Sequence, residues 1–323
     1  MSSVDPSPKA AAILNPRAAG GRGAKLWPTV SAALEQRLGT VEPLFTEHPN
    51  HATELTRDAL AQGYDLIITV GGDGTANEVV NGFFKDDEPI NPTARVGFIP
   101  VGTGGDLQRT LGISSDVDEA AETIASGRAW PIDVGKATLV SHEGEPLSRY
   151  FVNLLSFGMG GDVSVRAKKN VFTRLSGNLA FLYATVAVFL TYRGKKVRVV
   201  LDGSPLPDEL LIANIAIGNG RYHGGGMQPC PRAVMDDGLL EVTTIRHLGM
   251  FEFMRDLRVL YSDDIYQHPK VDHFRATRIR AESDEITRIE VDGEGLGRLP
   301  LEVTVLPRIL PVIVPAGSPL GKG

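Results

Sequence analysis

The chain has 323 residues, 42% of them apolar, which is enough for one large core or two ordinary ones. Its 33 basic and 39 acidic residues leave a formal charge of −6, and no segment is dominated by Lys and Arg, which argues against a nucleic-acid partner and against membrane attraction by bulk charge. A single cysteine, Cys230, excludes a disulfide framework and a cysteine zinc site and fits a reducing compartment.

The first residues, MSSVDPSPKAAAILNP, lack the basic n-region and long apolar h-region of a secretory signal. Residues 9–16 read as a strand ending in a turn. The turn NPRAAGGRG (15–23) then leads into a helix that runs to about residue 39. VEPLFTE (41–47) is a second strand, and 50–63 is a helix with Asn50 near its start and Gly63 as its stop. DLIITVGG (65–72) is a third strand, apolar without alternation, as in a parallel sheet covered on both faces. TANEVVNGFFK reads as a helix, ARVGFIPVG as a fourth strand and DVDEAAETIASG as another helix. Strands alternating with helices predict βαβ units, with ligands at the carboxyl ends of the strands.

From residue 129 the pattern changes to short strand-like runs separated by turn signals, which predicts a β-sandwich or barrel-like domain. Two helical stretches interrupt it, near 174–192 and 249–261. The expected division is an α/β domain over 1–128, a β-rich domain over 129–307, and a tail over 308–323 free to return to the first domain. The uncharged stretch LSGNLAFLYATVAVFLTY (175–192) reaches the lower edge of spanning length, but its polar residues dilute it. It reads first as a buried helix, with an interfacial helix as the alternative.

Three glycine-bearing turns close strands of the first domain: NPRAAGG, GGDGT (71–75) and PVGTGGD (100–106). Gly71, Gly72 and Gly74 let a ligand approach the backbone, and the helix that follows offers its free N–H groups to an anion. Asp73 would repel phosphate unless a cation lies between, so the turn points to phosphate held with Mg²⁺. The plainer alternative is a strand-to-helix turn with Asp73 as its cap. Gly102, Thr103, Gly104, Gly105 and Asp106 repeat the combination. No G-x-x-x-x-G-K-[ST] occurs, GGDGTAN lacks dinucleotide spacing, and GNGRYHGGG (218–226) matches it only loosely. No histidine falls in H-E-x-x-H, and His223 and His247 read as structural or exposed.

NPRAAGG, GGDGTANEVVNG, PVGTGGDLQRTLG, DDGLLEV and VDGE, in this order, resemble the bacterial lipid kinases related to diacylglycerol kinase and sphingosine kinase, over nearly the whole chain. The resemblance implies an NAD-kinase-like α/β domain, a β-rich sandwich-like domain, and ATP in the cleft between them. It places Asn15, Pro16, Gly20, Thr46, Gly71, Gly72, Asp73, Gly74, Thr75, Asn77, Glu78, Gly102, Thr103 and Asp106 at the nucleotide. It makes Asp237 a magnesium ligand, joined by the carbonyls of Val234 and Leu239. Glu294 matches the proton acceptor, with Asp292 close by, and Asp73 completes the catalytic set. Where the family commonly has Asn after G-T-x, this chain has Gly105.

The expected activity is Mg²⁺-dependent transfer of the γ-phosphate of ATP to the hydroxyl of a membrane lipid, such as diacylglycerol or a sphingoid or ceramide lipid. The expected setting is cytoplasmic, with transient docking on the inner face of a membrane. A homodimer is left open. Two rivals are a kinase of a soluble substrate such as NAD, which shares GGDGT, and a non-catalytic lipid or nucleotide sensor. For VDGEG and DDGLLEV, plain Asp-Gly turns are the alternatives to catalysis and metal binding.

Overall fold

The structure, a computed structural model, describes residues 8–101, 105–169, 188, 192–207, 209–249, 252 and 255–320. The chain forms two compact units, Met1–Ile132 with Arg308–Gly323, and Asp133–Pro307. The first crossing thus falls at Ile132–Asp133, four residues past the boundary read from the sequence, because one strand runs on through Arg128–Ser141 without a break. Of the helical stretch expected at 174–192, all but Val188 and Tyr192 lies outside the described residues.

In the first unit β1 (Ala10–Leu14), β2 (Val41–Phe45), β3 (Leu66–Gly71) and β6 (Arg95–Pro100) form a parallel sheet in the order β2-β1-β3-β6. The inner strands AAAIL and LIITVG are buried along their whole length, which explains their unbroken apolar sequences. β2 carries Pro43 and more exposed residues, as an edge strand can. The chain's last strand pairs with β6 on its other side, with Val312 beside Val96. The connecting helices are α1 (Ala18–Leu38), α2 (His51–Ala61), α3 (Asp73–Gly82), α4 (Asp106–Leu111) and α5 (Val117–Ser126); a small hairpin of β4 (Phe84–Lys85) and β5 (Glu88–Pro89) follows α3. α1 packs on α5 and α2 on α3, as right-handed crossovers to opposite sides of β1 require.

The second unit contains β7 (Arg128–Ser141, from Asp133 on), β8 (Pro146–Phe151), β9 (Leu154–Gly158), α6 (Met159–Lys169), β10 (Lys195–Leu201), β11 (Ser204–Pro205), β12 (Leu210–Gly218), β13 (Leu240–Arg246), β14 (Val271–Ala276), β15 (Arg278–Glu282), β16 (Arg288–Val291) and the first part of β17 (Glu294–Val314). Its strands pair antiparallel: β12 has β13 on one side and β9 and β10, end to end, on the other; β9 pairs on with β16 and β10 with β15, and β16 and β15 both pair with β17. The core inside is built from alternating residues such as Leu155 and Phe157, Val197 and Val199, Ile215 and Ile217, and Leu301 and Val303. Where the sequence suggested helix over 249–261, the described residues include 3₁₀ turns at Leu257–Tyr261 and Asp263–Gln267.

Candidate active site

The parallel register brings the glycine-bearing turns to one edge. Leu14 lies opposite both Phe45 and Val70, and Gly71 lies opposite Pro100. Asn15 and Pro16, Thr46, Gly71 to Asp73, and Gly105 with Asp106 therefore follow the carboxyl ends of four adjacent strands. Backbone bonds join them: Thr46 N–H donates to Leu14 O at 2.9 Å, Asn15 N–H to Val70 O at 3.4 Å, and Val101 N–H to Gly71 O at 2.9 Å. This edge is where ligands of such sheets bind. Gly102 and Thr103 lie outside the described residues.

Within GGDGT, Gly71 is required by packing. A β-carbon there would lie 2.7 Å from Thr75 Oγ1 and 2.8 Å from Thr75 Cβ. Gly72 caps α3 in an extended conformation with no side-chain hydrogen bond, so the first-turn N–H groups, those of Gly74 and Thr75 among them, face the turn. The Asp106 N–H donates to Asp73 Oδ2 at 3.5 Å, and that bond joins the two acid-bearing turns. Two carboxylates on joined turns beside helix N-termini form a hard-oxygen donor set of the kind that holds Mg²⁺ between protein and phosphate. Gly105 caps α4 at φ +66°, a left-handed conformation that Asn also tolerates. The backbone here thus accepts either residue, and a β-carbon at Gly105 would sit 3.1 Å from Gln108 Oε1.

Other predicted contacts have local work to do. The Asn15 side chain accepts the Arg17 N–H at 3.0 Å, and Gly20 takes φ +70° at the start of α1. Asn77 is buried, with its side chain and carbonyl both accepting from Asn81 Nδ2. Glu78, expected at the nucleotide, instead accepts the N–H groups of Asn50 and Ala52 at 3.0 and 3.2 Å. It caps α2, because Asn50, at φ +63°, makes no side-chain cap of its own.

In the second unit VDGE forms a two-residue hairpin turn. Asp292 and Gly293 take φ +47° and +85°, and Val291 pairs with Glu294. The Asp292 carboxylate is buried and accepts the backbone N–H groups of Val152, Asn153 and Leu154 at 3.3, 3.2 and 2.8 Å. Its oxygens are already engaged, so it ties the hairpin to the 152–154 turn rather than waiting for a substrate proton. Glu294, half-buried at the start of β17, is the carboxylate that this turn presents.

The sequence reading missed Glu290, on the same hairpin. It is fully buried and accepts from His223 Nε2 at 2.8 Å, from Ser156 Oγ at 2.8 Å and from Ser164 Oγ. Burial pushes its carboxyl up, but the His223 charge and these hydrogen bonds outweigh burial and hold it down to about 2. Asp133 was also missed. It is fully buried, accepts the Gly238 N–H at 2.7 Å, and so holds the DDGL turn. An acid inside the apolar run PIDVGKATLV was the available signal. On that turn Asp237 accepts the Leu239 N–H at 3.0 Å and pairs with Arg275. The expected magnesium role of Asp237, with the carbonyls of Val234 and Leu239, would require a cation to displace the Arg275 guanidinium.

Two family models match the chain: the diacylglycerol kinase catalytic domain over residues 9–137, and the YegS C-terminal NAD kinase beta sandwich-like domain over residues 155–314. The diacylglycerol kinase of Bacillus subtilis is 29% identical over 265 residues, 82% of each chain. That of Staphylococcus carnosus is 28% identical over 307 residues, 95% of each chain. A crystal structure of a diacylglycerol kinase from Bacillus anthracis, 23% identical, covers 97% of this chain and 98% of its own with a TM-score of 0.72. Yeast NADH kinase in complex with NADH shares the fold at 12% identity and a TM-score of 0.51, covering 95% of this chain and 83% of its own.

Proposed function

Because the chain belongs to the diacylglycerol kinase family and is a lipid kinase, we propose that it transfers the γ-phosphoryl group of ATP to the hydroxyl of a membrane lipid such as diacylglycerol or a sphingoid or ceramide lipid. The observation that carries the donor side is the joining of GGDGT to the Asp106 turn at the carboxyl edge of the sheet. Backbone N–H groups at the start of α3 bind phosphate oxygens, and the glycines keep side chains out of the way. Asp73 and Asp106 hold Mg²⁺, which neutralises charge on the transferring group. Glu294 accepts the proton of the lipid hydroxyl, and Asp292 keeps the hairpin that carries it in place.

The acceptor side is supported by a narrow apolar cavity of about 50 Å³ in the β-rich unit, walled by residues such as Met159, Ile245, Leu248, Val259 and Leu260. Aliphatic walls of this kind suit an acyl chain, which would have to widen the slot, and offer little to a polar acceptor. Among the described residues no helix is long and apolar enough to cross a membrane. The enzyme reaches its lipid by transient docking on the cytoplasmic face.

The test is phosphate transfer from labelled ATP to a panel of diacylglycerol, sphingosine, ceramide, phosphatidylglycerol and NAD. A labelled lipid that requires Mg²⁺ is the expected result. Label on NAD and on no lipid would overturn the reading.

A further inference from the structure

Two cavities of the β-rich unit share one helix. Met159 of α6 lines the apolar cavity, and Asp162 and Arg166 line a second cavity of about 690 Å³. Residues at i, i+3 and i+7 fall on one face of a helix. An apolar slot and a charged chamber along one helical face together match the two halves of an amphiphile.

Charge in the second cavity is unbalanced. Four cations, Arg166, Arg193, Lys195 and Arg288, face two acids, Asp162 and Glu285, a surplus of two. Both acids are already engaged, Asp162 by Arg288 and Glu285 by Lys195 at 3.2 Å. Among the described residues neither Arg166 nor Arg193 has a carboxylate partner. The Tyr192 hydroxyl lines the same cavity, is buried, and has no hydrogen-bond partner among the described residues. Burial pushes its phenol above the ordinary range, so it remains a donor. Two guanidinium groups and a hydroxyl offer donors and positive charge, and the ligand they fit is rich in acceptors and anionic, as a phosphate is.

The chamber flanks the hairpin that carries Glu294. A β-carbon at Gly295, one residue beyond Glu294, would lie 3.1 Å from Val165 Cγ2 on α6. Arg288 belongs to β16, the strand that leads into the Asp292 turn.

We propose that this cavity binds the phosphate of a glycerophospholipid headgroup, with an acyl chain of the same lipid along the apolar end of α6. The lipid identity of the ligand rests on the lipid-kinase reading above; the anion site rests on the cavity alone.

The test is binding to the full chain, by thermal shift and titration, of monomeric dihexanoyl phosphatidylglycerol, dihexanoylglycerol and inorganic phosphate. The phospholipid is expected to stabilise the protein and to bind about tenfold or more tightly than the uncharged diacylglycerol, with inorganic phosphate giving only a small part of the shift. Arg166→Ala with Arg193→Ala should weaken phospholipid binding about tenfold or more and leave the ligand-free melting temperature unchanged, since neither side chain holds an ion pair. Tyr192→Phe should weaken binding while leaving the ligand-free protein at least as stable. Equal affinity for diacylglycerol, unchanged binding in the arginine variant, or a full shift from inorganic phosphate alone would each overturn the proposal. Transfer from labelled ATP is scored separately: a chain that binds the phospholipid but phosphorylates no lipid keeps this site and removes the kinase reading.

Discussion

Replacing Asp292 by Asn separates a holding role from a chemical one. The carboxylate accepts three backbone N–H groups, two on Oδ1 and one on Oδ2. Asn keeps the shape but turns one acceptor oxygen into an NH₂ donor. In the better orientation the amide oxygen still serves Asn153 and Leu154, and the Val152 N–H is left facing a donor. One buried donor loses its partner and two bonds lose the benefit of charge, together about 2–4 kcal/mol. For a unit of this size that lowers the melting temperature by roughly 4–16 °C. Glu294→Gln, at the start of β17, should leave the melting temperature within about 2 °C and lower turnover about 100-fold or more, the scale of a lost general base. Thermal unfolding at pH 7 and lipid phosphorylation well below both transitions measure the two effects. An Asp292→Asn protein that melts like wild type yet is inactive would refute the holding role, and wild-type turnover in Glu294→Gln would remove that residue from the chemistry.

Four further outcomes are expected. Asp73→Ala should abolish turnover, about 100-fold or more, while circular dichroism shows an intact fold. Glu78→Ala should lower stability by about 1–2 kcal/mol through loss of the α2 cap and leave the KM for ATP near wild type; a large KM rise at unchanged stability would return Glu78 to the nucleotide. Gly71→Ala should destabilise by about 1–3 kcal/mol, because the new methyl collides with Thr75. Glu290 titrates below its ordinary value of 4.5 in the folded chain, so its contribution is complete above about 4.5 and is lost as the pH falls toward about 2. Acid unfolding of Glu290→Gln should lack that component, and an acid transition identical to wild type would contradict the assignment.

What could be read from the sequence follows physical lines. The parallel strands were legible because both faces are buried, so AAAIL and LIITVG are apolar without interruption. The Asp292-Gly293 turn was legible because a tight hairpin needs two left-handed residues. Glu290 was not, because RIEV looks like a strand with one polar face. Ile289, Glu290 and Val291 are all buried, since α6 covers the second face and Ser164 on that helix meets the carboxylate. The capping role of Glu78 was hidden for a similar reason: its neighbours in sequence belong to GGDGT, but its partners lie 26 and 28 residues upstream. Asp133 gave no sequence signal of its partner, because the Gly238 N–H that it accepts lies 105 residues along the chain.

The last strand has a consequence for how the chain is made. Residues beyond Arg308 belong to the first unit, where Val312 lines β6, Ser318 Oγ donates to Leu111 O, and Leu320 is buried. On the ribosome, which delivers about 5–20 residues per second, the first unit therefore waits with one flank of its sheet bare until the segment after Arg308 emerges. A nascent chain stalled before residue 308 would carry the GGDGT turn but offer an unpaired β6 edge to any other strand nearby, which makes the end of β17 this unit's own protection against aggregation.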